Sequence, residues 1–292
     1  MDPAAEKGNA EPMRKKRRRI WLHRACINSG WLVEVVLHRP IAVLLLFSFT
    51  PLTGCSPKPD PVPNGLAHHY DFEGQGSIVF DRVGGKNGLL RGGGRLAGDG
   101  SVTLDGNDDF VDLPNHILSA HPEVTLEFVV RLNRVEGRYA RLCSFGDNSR
   151  GEIHQAGQKD GTGEEFLNLT FQIKDENRQQ LGFKVNEVAT AEIESTIPLV
   201  LGQPQLVTIV VSKAEDSIRL YINGKESCRL ELNGFSCQSI NDINNWLGRS
   251  QWTNDQIPHA TYFDFKLHNR AMAADEVERR FEHQQWRPKL VR

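Results

Sequence analysis

The stretch from Asn245 to Phe281, NWLGRSQWTNDQIPHATYFDFKLHNRAMAADEVERRF, constrains the fold most, because its hydrophobic period changes once along its length. A short run ends in Leu247-Gly248-Arg249-Ser250, a polar loop follows, and Tyr262–Leu267 then alternates toward its end. Alternation at period two means a strand with one buried face. After Asn269-Arg270 the period lengthens, and Met272, Val277 and Phe281 fit one side of a short helix. With Ala273 as N-cap, Met272 and Val277 stand where a hydrophobic staple would join them, and Glu276 is half of a capping box.

Upstream, from Leu66 onward, short strand-like runs are divided by Gly, Asn and Asp clusters, the pattern of an all-β domain. Val124, Leu126, Phe128, Val130 and Leu132 share one face, with Thr125, Glu127 and Arg131 on the other; that predicts a half-buried sandwich strand. Leu206–Val211 is a compact β-branched run suited to the middle of a sheet. Ile218–Ile222, Asn223-Gly224 and Lys225–Leu232 predict a hairpin, because Asn-Gly tolerates the positive φ angles of a type I′ turn. Gly151–Glu165 is a long polar loop, and Phe166–Ile173 with Leu181–Val185 predicts a second hairpin.

Residues 1–55 differ in kind. A basic run, Arg14–Arg19, precedes the apolar Ile41–Phe49 and then Leu52-Thr53-Gly54-Cys55, the layout of a secretory signal. Leu-Thr-Gly-Cys resembles the bacterial lipobox, in which Cys55 carries the lipid. A retained membrane helix over Trp31–Phe49 would be interrupted by Glu34, His38, Arg39 and Pro40. Residues 56–65 are proline-rich and predict a semi-rigid tether, residues 66–283 the folded domain, and residues 284–292 a polar tail. The expected location is therefore the bacterial cell envelope, outside the cytoplasm and held by lipid. The first 55 residues hold nine of the 35 Lys/Arg and four of the 37 Asp/Glu, leaving 26 basic against 33 acidic side chains. That balance argues against a nucleic-acid partner. Of five cysteines, Cys143, Cys228 and Cys237 remain beyond the lipobox. Either Cys228 and Cys237 form a disulfide after the hairpin, or all three are buried apolar side chains.

The chain holds no Gly-x-Ser-x-Gly elbow, no His-Glu-x-x-His and no phosphate-binding Gly-x-x-x-x-Gly-Lys loop. Glu192-Ile-Glu194 puts two carboxylates on one strand face; it reads as a solvated face, with a glycosidase pair as the rival. His68 is expected to pack and His69 to be exposed, since neighbours on a strand point to opposite faces. Asp105-Gly-Asn-Asp-Asp109-Phe-Val-Asp112 is the densest oxygen cluster, either a calcium loop or a turn that bonds its own backbone. Asp105 and Asp109 are its candidate ligands. For glycans the useful groups are flat aromatics and planar amides or acids, which singles out Trp252, Asn254, Asp255 and His259 in a loop expected at the rim. Trp252 could equally cap the core edge, and Trp246 is assigned to the core.

Four segments resemble the laminin G-like jelly-roll group of the concanavalin A-like lectin and glucanase superfamily. They are Tyr70–Gly74 with Asp81–Gly88, the signature Val102–Pro114, the hairpin Leu220–Lys225, and the closing stretch. The resemblance implies an all-β, two-sheet antiparallel jelly-roll sandwich with a short C-terminal helix. It also implies a glycan or glycosylated surface as partner, and a structural calcium between first and last strands at Asp71 or Glu73 with Asp264, with an outward-facing strand residue as the alternative reading of Asp264. The implied role is binding without catalysis. A glycan-active hydrolase with atypical residues and an envelope protein-protein scaffold are the alternatives.

Overall fold

The structure is a computed structural model that describes residues 64–134, 139–154, 161–171, 177–185 and 189–283. The basic run, the Cys55 lipobox, almost all of the proline-rich tether and the 284–292 tail lie outside the described residues.

Among the described residues, the chain runs β1 (Leu66–Tyr70), β2 (Ile78–Val79), β3 (Gly88–Arg91), β4 (Val102–Asp105) and β5 (Phe110–Leu113). It continues through β6 (Val124–Leu132), β7 (Arg141–Asn148), β8 (Gly163–Thr170), β9 (Gln180–Val185) and β10 (Ala189–Glu194). Then come β11 (Gln205–Ser212), β12 (Ser217–Ile222), β13 (Lys225–Glu231), β14 (Asn244–Leu247), β15 (His259–His268) and the helix α1 (Ala274–His283). Two sheets form, ordered β1-β15-β6-β11-β12-β13, with β4 also on β15, and β10-β9-β8-β7-β14-β5-β3-β2. All the pairings are antiparallel. This is a jelly-roll sandwich: the strand periodicity predicted an all-β domain, and the resemblance implied the jelly roll.

Period two explains the core. Val124, Leu126, Phe128, Val130 and Leu132 of β6 face inward against Phe265 and Leu267 of β15. Cys143, Phe145, Leu167, Leu169, Leu181 and Phe183 face them from the other sheet. Tyr262 crosses between the sheets, its hydroxyl donating to the Leu142 carbonyl at 2.6 Å. The other face of β6 is buried as well, which the half-buried expectation missed. The segment before α1 and the helix itself cover it: Thr125 accepts the Met272 N–H at 3.0 Å, and Arg280 of α1 reaches Glu127.

The hairpin turn is as expected, with Asn223 at φ 50° and Gly224 at φ 78° joining β12 to β13. Met272 and Val277 pack together with Tyr221 and Val210, so the staple forms. The capping box does not, because Glu276 forms a bidentate pair with Arg270 instead. Trp246 is buried but not in the main core; it packs on the outer face of β14 with Phe110 and Ile153, and Arg249 stacks 4.7 Å above its ring. The expected Cys228–Cys237 disulfide is corrected: both are free thiols, as is Cys143, and all three are buried. Cys228 sits on β13 and Cys237 in a 3-10 turn, each filling core volume as the alternative reading had it.

Candidate functional site on the outer face of the eight-stranded sheet

Strand register lays three polar rows across the outer face of the eight-stranded sheet. The first is Arg141, Thr170, Gln180 and Glu194 on β7 to β10. Beside it run Ser144, Asn168, Gly182 and Glu192, and then Gly146, Phe166 and Lys184. A bulge at Leu142 in β7 turns both Arg141 and Ser144 outward although they are three residues apart.

The segment that follows β14 folds back over these rows. Gly248 makes the turn at φ 82°, where an added Cβ would lie 2.0 Å from a Leu104 methyl. Asn148 then donates to the Gln251 carbonyl, and the Gln251 side chain donates to the Asn244 carbonyl at 2.8 Å. Trp252 meets Phe166 edge-on with centroids 4.9 Å apart and lies 5.3 Å from the Arg141 guanidinium.

A cleft of about 370 Å³, open to solvent, remains at the end of the first row, walled by Tyr139, Arg141, Gln180, Glu192, Glu194, Trp252 and Asp255. Arg141 organises it. Its guanidinium donates to Thr170 Oγ1, to Ser250 Oγ at 3.3 Å and to Asp255 Oδ2 at 3.4 Å, between the Tyr139 and Trp252 rings. Ser250 donates in turn to Asp255 at 2.6 Å. Burial pulls the Arg141 pKa down and Asp255 and Glu192 only partly oppose it; burial pushes the Asp255 carboxyl up despite Arg141 and Ser250. Desolvation thus outweighs pairing at both partners. At the rim Arg178 pairs with Glu194, while Glu192 accepts no hydrogen bond among the described residues. The cleft therefore offers two aromatic rings, a planar amide and acceptor carboxylates, with its central cation already engaged.

Of the residues singled out for glycan contact, Trp252 and Asp255 meet here. Two are corrected: Asn254 is exposed outside the cleft walls, and His259 lies in the other sheet, paired with Asp105 of β4. Glu192 and Glu194, read as a solvated face, form the opposite wall. Sequence reasoning missed Tyr139, Arg141 and Gln180; none carries a local motif, and only the register joins them to Trp252.

Of the carboxylates that the resemblance assigned to a first-to-last-strand calcium, Asp71 and Asp264 are engaged by cationic side chains. Asp71 accepts from Arg82 at 3.0 Å and from the Glu73 N–H, while Asp264 takes Lys266 at 2.7 Å and stands 3.2 Å from His69. Among the described residues, Asp105, Asp108 and Asp109 form the group whose carboxylate oxygens come within 4.8 Å of one another. Burial raises the Asp105 carboxyl, but hydrogen bonds from the Asn107 side chain and the N–H groups of Asn107, Asp108 and Asp109 lower it further, for a net fall. Asp109, raised by burial, accepts from Gly93 at 2.7 Å. Oxygens aimed at backbone N–H groups describe a self-bonded acidic turn, which fits a cation poorly. The two histidines behave as expected in one case: His68 is buried against Asp81 at 2.7 Å, whereas His69 is half-buried beside Asp264.

Among solved structures, the chain is similar to a Trypanosoma rangeli sialidase in complex with 2,3-difluorosialic acid, at a TM-score of 0.55 and 14% identity over 77% of this chain. It spans only 34% of that sialidase. Domain 4 of AbnA, an extracellular arabinanase from Geobacillus stearothermophilus in complex with arabinotriose, aligns at a TM-score of 0.53 and 16% identity, over 73% of this chain and 97% of that domain. The receptor binding domain of botulinum neurotoxin D aligns at 0.50 and 14%, over 75% of this chain and 52% of that one. At such identities the likeness is one of fold. No curated protein matches the chain. The family model described as the concanavalin A-like lectin/glucanases superfamily, of laminin G type, matches residues 105–278. That match runs from the acidic turn after β4 into α1, well over half the chain, and so the protein belongs to the laminin G-like family of that superfamily.

Proposed function

We propose that the protein is a lectin-like binding module of the bacterial cell envelope, held by lipid at Cys55, and that the Arg141–Trp252 cleft takes saccharide without altering it. The carrying observation is the cleft wall itself: an aromatic ring held beside a planar amide and unshared carboxylate oxygens, the combination that sugars use. The fold likeness to a domain solved with arabinotriose supports a saccharide ligand.

A hydrolytic reading has one observation in its favour, the Glu192 carboxylate without a hydrogen-bond partner among the described residues, in one cleft with the half-buried Asp255. Against it, the neighbouring Glu194 is already paired with Arg178 at the rim. Asp255 is also committed to Arg141 and Ser250.

The test is titration calorimetry of the purified protein against a panel of neutral and acidic oligosaccharides, with Trp252→Ala alongside. Binding by the parent that weakens at least tenfold in the variant, with an unchanged melting temperature, is the expected result. Release of reducing ends by the parent and its loss in Glu192→Gln would instead establish the hydrolase. The same melts with calcium and with a chelator test the acidic turn; the binding reading requires no ion.

A further inference from the structure

Two side chains beneath the cleft are buried with nothing to bond. Asn168 on β8 is 1% exposed, and neither its amide oxygen nor its nitrogen has a partner. Ser144, its cross-strand neighbour on β7, is 0% exposed with its hydroxyl unpaired. Buried polar groups are nearly always satisfied, and leaving them unpaired costs stability. An apolar pair here would fill the same space at no such cost.

Their position says what they are for. They lie on the outward face, in the row next to Arg141 and ending at Glu192. The residue between Asn168 and Glu192 is Gly182, where an added Cβ would come within 3.0 Å of the Glu192 side chain and 3.4 Å of the Asn168 amide oxygen. A side chain there would close the path from the open cleft to the pair. What closes it overhead is Trp252, which touches Arg141 on one side of the pair and Phe166 on the other.

We propose that Ser144 and Asn168 form a second saccharide subsite of the same cleft, capped by Trp252 and uncovered when that ring swings aside. The proposal rests on the binding reading above. A planar amide that both donates and accepts, beside a hydroxyl, matches two adjacent sugar hydroxyls. The ligand is an uncharged saccharide: the cleft carries Glu192, Glu194 and Asp255, and its central cation, Arg141, is already held by Asp255. The displaced Trp252 ring then supplies a stacking face.

Two substitutions with opposite expected signs test this in the full-length protein. Asn168→Leu removes the unpaired amide, so the ligand-free protein melts at the same temperature or higher, yet binds neutral oligosaccharides at least tenfold more weakly. Gly163→Ala places a methyl 2.9 Å from the Trp252 ring edge, a side-chain neighbour that can yield. It lifts the cap in advance and tightens binding several-fold. A parent that binds saccharide while Asn168→Leu binds equally well overturns the subsite and leaves the binding reading intact. Tighter binding of a carboxylated saccharide than of its neutral counterpart overturns the uncharged ligand. Silence of the parent toward every saccharide overturns the binding reading, and the subsite with it.

Discussion

Glu127 shows how one residue can make a strand's second face buried. It lies near the middle of β6, 3% exposed, with His268 of β15 at 2.7 Å from one oxygen and the Arg280 guanidinium bridging both at 2.7 and 2.6 Å. Burial pushes its carboxyl pKa up, but hydrogen bonds from His268 and Arg280 and the Arg280 charge outweigh that and hold it at about 2. A folded value below the unfolded 4.5 means that the ionised form stabilises the fold above that pH. That stabilisation, about 3 kcal/mol by linkage, is lost as pH falls from 4.5 toward 2. Urea denaturation at a series of pH values is expected to show stability dropping across this window, and Glu127→Gln is expected to be less stable at pH 7 with a flatter acid limb. An equally steep acid limb in the variant would assign the loss to other carboxylates, of which Asp81 is the first to examine. Burial raises Asp81, but His68 and the N–H groups of His69, Gly84 and Lys86 together lower it below its ordinary value.

At the scale of elements, what was legible in the sequence was what neighbours along the chain decide. The β12–β13 turn follows from two residues that accept positive φ, and the inward face of β6 follows from alternation alone. The staple of Met272 on Val277 is likewise a local arrangement. The capping box failed because its acid is taken by Arg270, six residues upstream. The second buried face of β6 was hidden because it depends on where α1 docks, which periodicity does not encode. Gly224 joins the two cases. It holds φ 78° in the turn, and an added Cβ would come 3.0 Å from Phe281 Cβ of α1. Gly224→Ala is therefore expected to cost about 1–2 kcal/mol through backbone strain and to loosen the helix as well. A midpoint within experimental error of the parent in denaturant would show that the turn relaxes without disturbing α1.

For the whole molecule, the site was only half legible because it is a product of register. Trp252 and Asp255 announce themselves as aromatic and acid in a loop, and Glu192 with Glu194 as an alternating pair. Arg141 reaches them through a bulge and four paired strands, whereas Asn254 stands exposed outside the cleft walls and His259 already belongs to β15 of the other sheet. The cysteines give the corresponding lesson for the core. Cys143 of one sheet and Cys228 of the other belong to a single apolar cluster that also holds Cys237. Burial drives all three thiols far from reactivity, Cys228 to about 12 and the fully buried Cys143 and Cys237 upward beyond it. Because thiolate is the reacting species and the core is shared by both sheets, exposure of each thiol requires loss of the same packing. Maleimide labelling across a urea series, read by peptide mass, is expected to modify Cys143, Cys228 and Cys237 together at the global unfolding midpoint, with that midpoint unchanged by reductant. Labelling of Cys228 alone well below the midpoint would mean that the β12–β13 edge opens independently of the sandwich; a midpoint that falls with reductant would restore the Cys228–Cys237 bridge.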